Sequence, residues 1–160
     1  MMEVTLEPVV PEETFILQNL FEFYDYEFSL YLNFELNQEG LYRKAPVDIY
    51  LMDDNYNAFF IHVSGNLVGF VVVKKKDATP SFEIEQFFVL KKHNRKGIGK
   101  KAATMIFNKY IGNWTVTQAE HNYPAQAFWR NVIKQYTNDT FKEKYDEKHR
   151  AVQEFRNNNQ

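Results

Sequence analysis

The segment Phe87-Phe88-Val89-Leu90-Lys91-Lys92-His93-Asn94-Arg95-Lys96-Gly97-Ile98-Gly99-Lys100-Lys101 governs how the rest of the chain is read. A strand predicted over Phe82–Leu90 runs into a basic turn, then two glycines, then a helix predicted over Gly97–Tyr110. A helix start leaves backbone N–H groups without partners and carries the positive end of the macrodipole. Glycine there lets an anion reach the backbone, because no Cβ stands in the way. Arg95, Lys96, Lys100 and Lys101 add positive charge around it. A Walker-type loop would need a hydroxyl after Gly-Lys, and Gly99-Lys100-Lys101 has none. A dinucleotide fingerprint needs three glycines, and two are present. A plain basic turn closed by glycines and the pyrophosphate loop of an acyl-CoA enzyme remain.

Outward from this segment, short elements alternate. Val4–Val10 reads as a strand. Pro11-Glu12-Glu13 opens a helix, acidic where the dipole favours it. Phe15–Leu32 carries the helical pattern, with Phe15, Ile16, Leu20, Phe23, Tyr24 and Phe28 three or four apart; its aromatic edge is a candidate pocket lining. Asn33–Asn57 is irregular, with room for one short helical turn or strand. Ala58–Val63 and Leu67–Lys74 are strands joined by a tight Ser64-Gly65-Asn66 hairpin. Lys74–Pro80 is a polar turn. The Gly97–Tyr110 helix shows Ile98, Ala102, Met105, Ile106 and Lys109 at helical spacing, and Gly112-Asn113 ends it. Trp114–Glu120 alternates as a strand, and Pro124–Tyr136 is a helix with proline in its first turn. Thr140–Asp146 and Ala151–Phe155 are two paired strands. The polar tail Asn157–Gln160 is expected to fray. The order is β, α, β, β, β, α, β, α, β, β, with no repeat or linker.

Composition sets the limits. A chain of 160 residues, 44% hydrophobic and 17% aromatic, predicts one domain over residues 1–160 with one packed core. The net charge of −2 argues against nucleic acid as a partner. The absence of cysteine removes disulfides, thiolate metal sites and a thiol nucleophile. No basic stretch leads into an apolar run at Met1-Met2-Glu3, and the run Phe70–Val73 is too short to span a bilayer. The expectation is a cytoplasmic protein without membrane attachment, monomeric or homodimeric. No histidine–carboxylate spacing fits a metal motif, so no metal is expected.

Val89, four residues, then Asn94-Arg95-Lys96-Gly97-Ile98-Gly99 resembles the acetyl-CoA signature of the GNAT superfamily of N-acetyltransferases. Asn122-x-x-Ala125-x-x-Phe128-Trp129 resembles the family's Asn-x-x-Ala-x-x-Leu-Tyr stretch, on the expected helix after the expected strand. The element order is similar over nearly the whole chain. The resemblance implies an α+β fold: a mixed, mostly antiparallel sheet of six to seven strands, flanked by helices, with strands 4 and 5 splayed. It implies acetyl-CoA as cosubstrate and transfer to a small-molecule or peptide amine by direct attack. Asn94, Arg95, Lys96, Gly97, Ile98, Gly99, Lys100 and Lys101 would hold the phosphates, and the backbone of Phe88, Val89 and Leu90 the pantetheine arm. One of these amides would polarise the thioester carbonyl. Asn122, Phe128 and Trp129 would approach from the far side. Two positions depart from the family pattern. Asn94 stands where Gln or Arg is usual, and Trp129 replaces the tyrosine that often serves as general acid.

The attacking amine must be neutral, and free alkylamines have a pKa near ~10, so a base or water relay is needed. Glu83 and Glu85 lie on the strand feeding the loop, and period two places them on one face with Phe87 and Val89. Glu83 sits where several family members carry the base. Tyr123, beside Asn122, is a candidate acid in place of the missing tyrosine, and His121 is adjacent. Aspartate at Gly97 or Gly99 is expected to block the phosphate site with the fold intact. A non-catalytic acyl-CoA sensor is the alternative function.

Overall fold

A computed structural model describes residues 3–76 and 80–158. Strand β1 (Val4–Pro8) is followed by helices α1 (Thr14–Phe28) and α2 (Val47–Met52), then β2 (Tyr56–Val63), β3 (Asn66–Lys76) and β4 (Ser81–Val89). Helix α3 (Ile98–Lys109), β5 (Asn113–Gln118), α4 (Tyr123–Thr137), β6 (Lys142–Tyr145) and β7 (Ala151–Arg156) complete the chain. The strands form one seven-stranded sheet in the order β1-β2-β3-β4-β5-β7-β6. Each neighbouring pair is antiparallel except β4–β5, which is parallel. The mixed α+β architecture is the expected one. The short helical turn for which the irregular Asn33–Asn57 stretch left room is α2. The predicted Lys74–Pro80 turn is partly strand, since β3 runs to Lys76, and its residues 77–79 lie outside the described residues. Among the described residues, no helix is long and apolar enough to cross a membrane.

The β2–β3 turn has Ser64 at φ 49° and Gly65 at φ 85°. Positive φ at both central positions lets a two-residue turn follow the right-handed twist of its strands. Alternation then sorts β3 between two cores. Val71 and Val73 join Ile98, Ala102, Ile106, Phe107, Trp129 and Ile133 of α3 and α4. Phe70 and Val72 join Leu17, Leu20, Phe21 and Tyr50 of α1 and α2.

Three expectations are corrected. The inward face of α1 is Leu17, Leu20 and Phe21, while Phe15 and Phe23 of the predicted stripe are exposed. Both faces of this helix are apolar, so periodicity cannot choose between them; contact with the sheet does. The tail is not frayed at Asn157, which is buried: its Nδ2 donates to the Phe107 carbonyl at 2.7 Å and its Oδ1 accepts from Gly112 N at 2.7 Å. It thereby satisfies orphan groups at the end of α3.

The last correction concerns β4. Val72 pairs with Gln86 and Val73 with Ile84, so Glu85 is an extra residue in a β-bulge. Before the bulge, Phe82 and Ile84 face the α3–α4 core; after it, Phe87 and Val89 do. Glu83 and Glu85 therefore do not share a face with Phe87 and Val89. They lie on the α1–α2 side.

Asp25 is the unusual residue of that side. It is 2% exposed, and its Oδ2 has no hydrogen-bond partner among the described residues. Burial raises its pKa from 3.8 to about 6, opposed by Arg43 and assisted by Glu22. A raised acid is protonated in the native state while still ionised in the unfolded chain, so its stabilising contribution falls as pH rises from about 4 to 6. Asp25→Asn is expected to be neutral below pH 4. At pH 7 it is expected to stabilise the fold by up to about 3 kcal/mol. Denaturant unfolding at both pH values checks this, and an equal effect at both would refute it.

Candidate functional site

Parallel pairing of β4 and β5 covers only Ser81–Asn113, Phe82–Trp114 and Glu83–Thr115. Beyond Glu83 the strands part, and among the described residues no strand lies beside the β5-facing edge of β4. On its other edge β4 stays bound, with Leu90 N donating to the Val68 carbonyl at 2.8 Å. Helix α3 follows the end of β4 and α4 follows the end of β5, so both helix N-termini lie at the open end of the split.

The two N-termini differ. That of α4 is capped: Asn122 is buried, and its Oδ1 accepts from Ala125 N at 3.1 Å. That of α3 begins on Gly97 at φ 80°, which offers no side chain to its first N–H groups. A Cβ on Gly97 would meet nothing within 4 Å. Arg95 also has positive φ, 61°, an uncommon state for a non-glycine residue. The helix start is thus uncapped, roomy and basic, a donor set that fits a phosphate. Gly99 serves differently, since its Cβ would lie 3.0 Å from Cε1 and Cζ of Phe128. It lets α3 and α4 pack closely, so aspartate at Gly99 would disturb packing as well as charge, contrary to the expectation of an intact fold.

Around the loop, Asn94, Arg95 and Lys96 are exposed and Ile98 is buried. Lys100 donates to Gln135 Oε1 of α4, and Lys91 pairs with Glu27 of α1 at 3.9 Å. Phe87 fills the wedge beneath, with ring centroids 5.9 Å from Phe128 and 5.0 Å from Trp129. Trp129 is a core residue, 6% exposed, with Phe107 6.3 Å away. Phe88 is buried toward α1, its ring centroid 5.8 Å from that of Tyr24.

On the α1–α2 side, Glu83 pairs with Lys76 at 3.4 Å. Glu85 is held above the ordinary glutamate range, first by burial, then by the charge of Glu83 and a hydrogen bond with it, against Lys74 and Lys76. Sequence reading passed over a clasp beside them. The Tyr24 hydroxyl donates to Gln86 Oε1, and Gln86 Nε2 donates to the Tyr50 hydroxyl at 3.2 Å. Burial pushes both phenols above their usual range. The available signal was one amide inside the Phe-rich strand, a side chain that a buried position must satisfy. Tyr123 is 64% exposed in the first turn of α4, its hydroxyl 3.3 Å from His121 Nδ1, and His121 Nε2 lies 3.7 Å from Glu120.

The family model described as the acetyltransferase (GNAT) family matches residues 16–132. The chain belongs to the GNAT acetyltransferase family. Its fold is that of other GNAT structures. An acetyltransferase from Thermus thermophilus superposes with a TM-score of 0.72 at 18% identity, covering 96% of this chain and 97% of that one. A spermidine N-acetyltransferase chimera from Vibrio cholerae gives 0.61 at 16% identity, with 94% and 93% covered. An aminoglycoside acetyltransferase from a soil metagenome gives 0.58 at 19% identity, with 81% and 86% covered. At these identities the likeness shows the GNAT fold alone. No curated protein matches in sequence.

Proposed function

We propose that this GNAT protein transfers an acetyl group from acetyl-CoA to a primary amine of a small molecule or peptide. The observation that carries the proposal is the uncapped start of α3 at Gly97, facing the mouth of the split between β4 and β5. Arg95–Lys101 would hold the pyrophosphate through backbone N–H groups and side chains. The free edge of Phe88–Leu90 would hold the arm. Asn122, Phe128 and Trp129 would form the opposite wall through α4, which Asn122 caps and whose Trp129 is buried in the core. Acetyl-CoA supplies an activated thioester: the amine nitrogen bonds to its carbonyl carbon, and the carbon–sulfur bond breaks.

The chain's own groups would move the protons. Glu85 is the candidate base, because burial and the charge of Glu83 raise its pKa, which strengthens it as a proton acceptor. Tyr123, linked to His121, would protonate the leaving sulfur. Amine acetylation across a panel of monoamines, polyamines, aminoglycosides and peptide N-termini, read as released thiol, tests the function. Binding of CoA with no amine ever acetylated would instead favour the acyl-CoA sensor, a second reading favoured by the buried indole of Trp129 in place of a phenol.

The carboxylates separate in a pH profile of kcat/KM. Glu85→Gln should lower kcat/KM about 10²-fold and remove the acidic limb. Glu83→Gln should keep most of the rate and move that limb to lower pH, because a negative neighbour that raises the Glu85 pKa is gone. Wild-type profiles for both variants would exclude the pair from catalysis.

A further inference from the structure

A helix packed on one side normally presents charge on the other. Helix α1 does not. Opposite its buried Leu17, Leu20 and Phe21, the side chains of Phe15, Phe23 and Tyr26 are 64%, 58% and 72% exposed. With about 100° between successive residues, these three fall within one outward sector of about 80°. Leu30, 79% exposed, lies in the turn that follows.

The charge of this stretch of sequence is one-sided, although Lys91 and Arg43 from outside it reach Glu27 and Asp25 of α1. Met1–Tyr42 contains nine Asp or Glu residues and no Lys, Arg or His. The rest of the chain carries all 19 Lys and Arg against the other twelve acids. The net charge of −2 conceals an acidic N-terminal quarter on a basic remainder. A second copy packed α1 against α1 would bring two such acidic segments together, which like-charge repulsion opposes. A basic partner meets no such cost.

We propose that the outer face of α1 is a docking surface for a positively charged polypeptide segment that carries apolar side chains of its own. The aromatic sector supplies the desolvated contact, since aromatic residues carry much of the energy at interfaces. Lysine and arginine can also lie over the rings of Phe23 and Tyr26. The carboxylates of this acidic segment steer the approach. Docking needs no acetyl donor, so its failure would leave the proposed acetyl transfer untouched.

The probe is a fluorescein-labelled 14-residue peptide of Leu and Lys in amphipathic helical order, with a Leu/Glu peptide of the same pattern as counterpart. Anisotropy should show binding of the Leu/Lys peptide, weakening as salt is raised, and none of the Leu/Glu peptide. Phe23→Ser combined with Tyr26→Ser should weaken binding about tenfold or more. Glu147→Ser, in the turn before β7, should leave it unchanged. Phe15→Ser with Leu30→Ser repeats the test should the first pair alter the circular dichroism. Three results would overturn the proposal: no binding by the wild type, equal binding of the two peptides, or wild-type affinity in both double variants. Self-association of the wild type in sedimentation, abolished by either double variant, would make a second copy the occupant and overturn it as well.

Discussion

Gly97→Asp is expected to weaken CoA binding by at least about 10²-fold while leaving the fold in place. The open space around Gly97 accommodates the new side chain, and aspartate is among the residues that tolerate the left-handed backbone at φ 80°. Its carboxylate would lie against the first N–H groups of α3, where a cap belongs. It would thus take the donors that a phosphate needs and repel the phosphate. Loss of two or three charge-assisted hydrogen bonds, each about 1.5–3 kcal/mol, accounts for that magnitude. Gly97→Ala is the control. It has the same room and backbone strain of about 1 kcal/mol, but no charge, so it should retain most of the affinity. Calorimetry with CoA on both variants, with circular dichroism alongside, makes the measurement. Wild-type affinity in the aspartate variant would remove the phosphates from this helix start.

Gly69→Ala is expected to destabilise the protein by about 3 kcal/mol or more and to lower CoA affinity in whatever fraction folds. A Cβ at Gly69 would stand 2.0 Å from the Phe88 carbonyl oxygen and 3.1 Å from Val89 Cα. These are backbone atoms and cannot swing aside like a side chain. Strand β4 would have to move away from β3 at Phe88–Val89, the segment proposed to hold the pantetheine arm. Denaturant unfolding measures the first effect and calorimetry with CoA the second. Normal stability would mean that the strands separate freely here. A large stability loss with unchanged CoA affinity would show that the Phe88–Leu90 backbone does not hold the cosubstrate.

These two glycines mark the difference between local and tertiary information. Gly97 was legible because its context is local: strand, basic turn, glycine and helix follow one another, and backbone geometry converts that order into a helix start facing the strand's end. The same holds for the Ser64-Gly65 hairpin, for the proline-led start of α4 and for the element order, since short-range chemistry decides each. Gly69 looked like any residue in an apolar strand, and its role appears only where the carbonyl of Phe88 approaches it from another strand.

The carboxylate pair shows the same limit. Residues 82–90 alternate as a regular strand, and strict period two would group Glu83 and Glu85 with Phe87. One extra residue relative to β3 shifts that phase at Glu85, and a bulge is a property of two strands. The clasp of Tyr24, Gln86 and Tyr50 joins residues up to 62 positions apart, so no spacing rule reaches it. The inward face of α1 was undecidable for a related reason. Its two sides are similarly apolar, and hydrophobic burial is non-directional, so only the sheet's shape selects Leu17 and Phe21 over Phe15 and Phe23. Chemistry read along the chain was enough for the elements, their order and the phosphate-ready helix start, because hydrogen bonds and φ preferences act within a few residues. Which faces meet, and where a strand slips by one residue, were set in the folded molecule, because packing acts between segments far apart in the chain.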